Sequence, residues 1–226
     1  TLDDAIGLLA TGGARLLDLD RTDARIAELE DAVGAALEGA ESFAARLTQL
    51  RRAAAGRLSA AVSDELAALA MPDARLVVEV APAERLTASG RDEVAFQLVP
   101  HPGADARPIG RGASGGELSR IMLALEVVLA GVDPVPTFVF DEVDAGVGGA
   151  AAIEVGRRLA RLAEHAQVVV VTHLAQVAAF AGNHLRVEKD TAGGFTQSSV
   201  ARLSGDARER EMARLLSGLA DSESGL

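Results

Sequence analysis

The chain has 226 residues, 49% hydrophobic and 3% aromatic, with a formal net charge of -11. That length holds one substantial core plus an appendage, while the charge argues against a surface that coats nucleic acid throughout. The lack of Trp and Tyr argues against a stacking platform for single-stranded bases, and the lack of Cys excludes disulfides and thiolate metal sites. With no run of 18 apolar residues and no basic-then-apolar leader, the sequence predicts a soluble, cytoplasmic protein without a membrane partner.

Residues 1 to 20 carry a helical pattern (Leu2, Ile6, Leu9, Leu16, Leu17, Leu19) in which Gly12-Gly13 predicts a break or kink. From Ile26 the steps of three and four become regular through Leu29, Val33, Ala36, Ala40, Phe43, Leu47, Leu50 and Ala54, the spacing of a coiled-coil seam. Leu58, Val62, Leu66 and Leu69 continue it until Met71-Pro72 ends it. Such a stripe needs an antiparallel partner from the same polypeptide or from a second chain; the alternative is a pair of core helices in a compact domain.

After Pro72 the period becomes that of strands. Arg75 to Val80 and Glu93 to Val99 predict an antiparallel pair, and the Pro- and Gly-rich stretch from His101 to Gly112 predicts a loop. Arg111-Gly-Ala-Ser-Gly-Gly-Glu-Leu-Ser-Arg120 then opens an amphipathic helix from 114 to about 130. A glycine-rich helix N-terminus can present backbone N-H groups to an anion, or can be an ordinary serine-capped start.

A turn at Gly131-Val-Asp-Pro134 leads to an almost wholly apolar strand, Pro136 to Asp141, of the kind buried inside a parallel sheet. Helix 150 to 164, strand 167 to 172, helical segment 174 to 180 and strand 184 to 188 follow. A hairpin turn at Thr191 to Gly194, a strand from Phe195 to Val200 and a helix from Asp206 to Leu219 complete the series. This alternation predicts an α/β layered architecture with sites at the C-terminal ends of its strands.

Asp141 and Glu142 emerge at such a strand end. One carboxylate there can hold Mg²⁺ through its water shell, and its neighbour can deprotonate a water for attack on a γ-phosphate. Asp144 follows three residues after Asp141, and His173 closes the run of valines Val168 to Val171. On a parallel neighbouring strand His173 can reach the same phosphate or water. His101, His165 and His184 are dispersed, with no second ligand at zinc-like spacing.

Together these segments resemble the ABC-type ATPases. Ala113-Ser-Gly-Gly-Glu-Leu-Ser119 is similar to their signature loop, Phe138-Val-Phe-Asp-Glu142 to their Walker B strand, Val143-Asp-Ala-Gly146 to their D-loop and Thr172-His173 to their switch histidine. Across about residues 72 to 219 the finer resemblance is to the SMC-like ATPases of bacterial DNA double-strand break repair and recombination. It implies a homodimeric ATPase head with a long antiparallel coiled-coil arm, associated with the nucleoid. Its implied cofactors are ATP and Mg²⁺, and its implied DNA partner is double-stranded ends or single-stranded overhangs.

By that resemblance Ser114, Gly115, Gly116 and Glu117 bind the nucleotide of the opposite head, and Asp144 couples the two sites. Asp141 holds Mg²⁺ through water, Glu142 is the catalytic base, and His173 assists it. The chain contains no G-x-x-x-x-G-K-[ST] phosphate loop.

The expected organisation is therefore the C-terminal lobe of an ABC-type head. Residues 1-71 form the helical base of the arm, about 50 helical residues or ~75 Å at most, and residues 72-226 form the lobe, which pairs with the N-terminal half of the same head. The alternatives are a non-catalytic structural lobe that binds its N-terminal half and DNA-processing partners, and the ATPase subunit of an ABC transporter. Arg91, Arg107, Arg111 and Arg120 are candidates for contact with DNA phosphates.

Overall fold

The computed structural model describes residues 1–111, 113–132, 135–190 and 197–217. The expected turn at Thr191 to Gly194, part of the turn at 131–134, the start of the strand expected from Phe195 and the end of the helix expected to reach Leu219 lie outside those residues. The described chain is mixed helix and strand, as the α/β reading requires.

Helix α1 runs from Leu2 to Ala68. The Thr1 hydroxyl accepts the Asp4 N-H at its start, and Asp3 and Asp4 favour the positive end of the helix dipole. No break occurs at Gly12-Gly13: both glycines are helical and nothing lies within 4 Å of a Cβ at either position. A helical glycine costs about 1 kcal/mol relative to alanine, too little to interrupt a run of Leu, Ala and Arg. The helix ends where Met71 N-H bonds the Leu66 carbonyl across Ala70, whose φ is +61°, an arrangement of Schellman type just before Pro72.

The chain divides into two compact units. One comprises Thr1–Ala53 and Val80–Glu93. Here the Asp92 carboxylate accepts the Thr48 hydroxyl at 2.7 Å and pairs with Arg51 at 3.2 Å, while Arg51 also donates to the Ser89 carbonyl. The Thr48 hydroxyl, more than Arg51, holds the Asp92 carboxyl below its usual range. Gly90, at φ +100°, turns the backbone beside Leu47, whose Cδ2 would stand 3.0 Å from an added Cβ.

The other unit comprises Ala54–Glu79 and Val94–Leu226. Its core joins Val62, Leu66 and Leu69 at the foot of α1 to Ile121, Leu123 and Ala124 of α2 (Gly115–Leu129). Val155, Leu159 and Leu162 of α3 (Gly149–Leu162) complete that cluster with Phe140 and Val143. Arg158 of α3 pairs with both Glu65 and Glu154, so the foot of α1 is tied to α3 by charge as well as by packing.

Strands β1 (Arg75–Thr87) and β2 (Gly90–Val99) are longer than the sequence predicts and are joined by a tight turn. The stretch expected to be only loop contributes β3 (Arg107–Pro108), antiparallel to Gln97 and Leu98 at the sheet edge, where the missing N-H of proline is harmless. Strands β4 (Thr137–Phe140) and β5 (Gln167–Val170) pair in parallel, Val139 opposite Val169, with α3 as the crossover. Val139 is 70% exposed, so this strand is not enclosed on both faces as its apolar sequence suggests. The short α4 (Ala175–Ala178), the antiparallel pair β6 (His184–Asp190) and β7 (Gln197–Leu203), and α5 (Gly205–Ser217) complete the order.

Candidate functional site

The N-terminus of α2 is built by a reciprocal cap. Ser114, extended at φ -67° and ψ 163°, accepts the Glu117 N-H on its hydroxyl at 3.3 Å, and the Glu117 carboxylate accepts the Ser114 N-H at 2.8 Å. The Ser114 N-H, followed by its hydroxyl, holds the Glu117 carboxyl below the ordinary range. Both side chains expected to meet a nucleotide are thus also engaged in starting their own helix. Ser114 and Gly115 are exposed, whereas Gly116 is buried.

The two glycines lie against the acidic turn that follows β4. A Cβ on Gly116 would stand 3.0 Å from the Glu142 carbonyl oxygen and 3.1 Å from that of Ala145; one on Gly115 would collide with the end of the Glu142 carboxylate. The turn is closed by Ala145 N-H to the Glu142 carbonyl at 3.0 Å, and Glu142 adopts φ +56°, a left-handed conformation unusual outside glycine. The Asp141 carboxylate accepts the Glu142 N-H at 2.9 Å. Asp141 and Glu142 are exposed and Val143 and Asp144 buried, so two carboxylates face outward at the C-terminal end of a strand.

Asp144 turns the other way, with its side chain 3% exposed. Its Oδ2 accepts the Thr172 hydroxyl and, at 3.2 Å, the His173 N-H, and it lies 3.3 Å from His173 Nδ1. The parallel β4–β5 pairing makes this possible by carrying the residues after Phe140 and after Val170 out at the same sheet end, where Val171 N-H bonds the Phe140 carbonyl. The His173 ring remains 74% exposed. The structure therefore groups Ser114, Gly115, Gly116 and Glu117 with Asp141 and Glu142, and Asp144 with His173.

Three residues outside the expected site help to build it. The Thr172 hydroxyl also accepts the Leu174 N-H, Ser119 donates to the Asp141 carbonyl at 2.6 Å, and Arg120 donates to the Ala145 carbonyl at 2.7 Å. Arg120 is 6% exposed, which removes it from the candidates for DNA phosphate contact; Arg91, Arg107 and Arg111 remain exposed. Arg120 is the one arginine of α2, and its neighbours in the sequence do not mark it for this role.

Among the described residues no group of three His, Cys, Asp or Glu side chains is arranged to hold a metal, and no helix is long and apolar enough to cross a membrane. The outward carboxylates of Asp141 and Glu142 suit Mg²⁺, which keeps much of its water and takes one or two carboxylates together with substrate phosphates.

Over 205 residues the chain is 58% identical to the DNA repair protein RecN of Streptomyces coelicolor, covering 85% of this chain and 35% of that protein. To the DNA repair protein RecN of Mycobacterium leprae it is 46% identical over 231 residues, 93% of this chain and 39% of the relative. The chain spans little more than a third of the length of these curated relatives. Among solved structures it is similar to the Smc head domain with a coiled coil and joint from Pyrococcus yayanosii, with a TM-score of 0.51 and 23% identity over 71% of this chain and 29% of that one. At that identity the likeness establishes the fold, that of an SMC head. No family model matches the chain.

Proposed function

Because the chain belongs to the RecN family of DNA repair proteins over the stretch it shares with them and has the fold of an SMC head, we propose that it supplies one lobe of an ATPase acting in double-strand break repair and recombination. The observation that carries this reading is the outward pair Asp141 and Glu142 at the end of β4, packed directly against the glycine-rich N-terminus of α2. In this reading residues 72-226 are the lobe and residues 1-71 the base of an antiparallel arm. The exposed stripe of Leu2, Ile6, Leu9, Leu16, Ile26, Leu29 and Val33 supports the arm assignment.

Magnesium-bound ATP would supply the phosphoanhydride and the charge neutralisation of its phosphates. Asp141 would hold the ion through its water shell. The Glu142 carboxylate takes the proton of the attacking water, and the exposed His173 ring contacts the phosphate side of the same site. Ser114 and the N-H groups of Gly115 and Gly116 face the nucleotide of a second head, where a helix N-terminus favours negative charge. Glu117 keeps that N-terminus formed through its cap.

The phosphate loop would come from the N-terminal half of the head, and the open valine face of β4 and β5 is a surface such a lobe would cover. The DNA repair relatives favour this reading over the transporter alternative. DNA ends or overhangs are the partner this reading implies, with the nucleoid as its place of action.

The test is ATP hydrolysis by this chain alone and after addition of the N-terminal part of a RecN relative. Activity is expected only with the addition, and Glu142→Gln is expected to slow turnover by about tenfold or more while ATP-dependent dimerisation persists. Near-normal turnover of Glu142→Gln in the reconstituted head would remove Glu142 from the base role.

A further inference from the structure

Gly116, Ser119 and Arg120 stand at i, i+3 and i+4 on α2 and therefore share one face of the helix. That face grips the acidic turn along its length. Gly116 admits the carbonyls of Glu142 and Ala145, Ser119 donates to the carbonyl of Asp141, and Arg120 donates to the carbonyl of Ala145. Within the turn, Ala145 N-H bonds the Glu142 carbonyl, Val147 N-H the Asp144 carbonyl and Glu142 N-H the Asp141 carboxylate.

Arg120 is an expensive way to fill this space. Its side chain is buried, its Nε has no hydrogen-bond partner among the described residues, and burial pushes its pKa down. A buried guanidinium pays a desolvation penalty that an apolar side chain of similar volume avoids. What it secures is the far end of a turn that holds Glu142 at φ +56°, a conformation that persists only when its surroundings over-determine it.

We infer that Arg120 is a positioning residue: with Ser119 it locks the carboxylate turn to α2, so that engagement of the α2 N-terminus at one nucleotide sets the placement of Glu142 at the other. The inference rests on the function proposed above and goes beyond it, because it makes the two half-sites of a single chain one mechanical body.

The test uses the complete head, this chain joined with the part bearing the phosphate loop, and measures kcat, KM for ATP and ATP-dependent dimerisation for Arg120→Met, Arg120→Lys, Ser119→Ala and Glu142→Gln. For Arg120→Met, kcat is expected to fall by about tenfold or more with KM within about threefold and dimerisation retained, since a small misplacement of a catalytic group is felt in kcat. Arg120→Lys, which restores a donor, is expected to recover at least about threefold of that loss, a rescue that a purely packing role would not give. A folded Arg120→Met with kcat within about twofold of the parent overturns the inference.

Should Arg120→Met fail to fold, Ser119→Ala decides. A fall in kcat of about threefold at unchanged KM supports the lock, and unchanged kcat overturns it. Normal turnover in Glu142→Gln would instead remove Glu142 from the base role, and a complete parent head without ATP hydrolysis would defeat the functional reading itself. A dead Glu142→Gln beside an unaffected Arg120→Met would defeat only the lock.

Discussion

Gly115 and Gly116 are neighbours under different constraints. A methyl on Gly115 meets only the end of the Glu142 side chain, which can swing away; a methyl on Gly116 meets the backbone of Glu142 and Ala145, which cannot without moving the turn. Gly116→Ala is therefore expected to destabilise the protein by about 1–3 kcal/mol, as overpacking does, and Gly115→Ala to leave folding stability nearly unchanged. Denaturant unfolding of the two variants checks this, and equal stability would contradict the difference in contacts. The sequence shows both glycines and suits them to an anion, but it cannot show that Gly116 is needed by its own chain. That requirement comes from a turn 26 residues further on, which the fold brings against α2. Arg120 was hidden for the same reason: among Ser119, Ile121 and Met122 nothing marks it as buried, because its acceptor is a carbonyl, which has no letter of its own.

At the scale of elements, periodicity served well where one face of a helix repeats and poorly where pairing decides. The three-four spacing of Ile26 to Ala54 indicates a helix, and α1 includes all of it. Gly12-Gly13 misled because propensity is a weak term within a long run of good helix formers. Strand β3 was illegible because two residues, one of them proline, leave no alternation to read. Helix α1 also exposes a contrast along itself: Leu2, Leu8, Leu9 and Leu16 are open, whereas Val62 and Leu66 are fully enclosed. Isolated helices lean on tertiary packing for most of their stability. Amides near the start of α1 are therefore expected to exchange hydrogen faster in this chain alone than those around Val62 to Ala68, by about tenfold or more. Uniform protection along α1 would show that the open stripe has found a partner.

For the whole molecule, the order of its motifs carried more than any single one. The signature-like loop, the Asp-Glu strand end and the Thr-His pair each have an ordinary structural explanation, and only their succession points to an ATPase lobe. The fold then adds what order cannot: Asp144 is turned inward to hold Thr172 and His173, a placement set by the parallel register of β4 and β5. That same small sheet has a bearing on colloidal behaviour. Val139, Val169 and Val171 leave an open apolar face, while a net charge of -11 keeps copies apart in dilute buffer. Since salt screens the repulsion but not the hydrophobic attraction, raising ionic strength from about 0.01 M to about 0.5 M is expected to drive self-association of the chain on its own. Light scattering across that range would register it, and Val139→Thr with Val169→Thr should suppress it. A preparation that stays monodisperse at high salt would show that this face is not adhesive, and the bottle in which the protein is stored thereby becomes an assay for how completely its surface is closed.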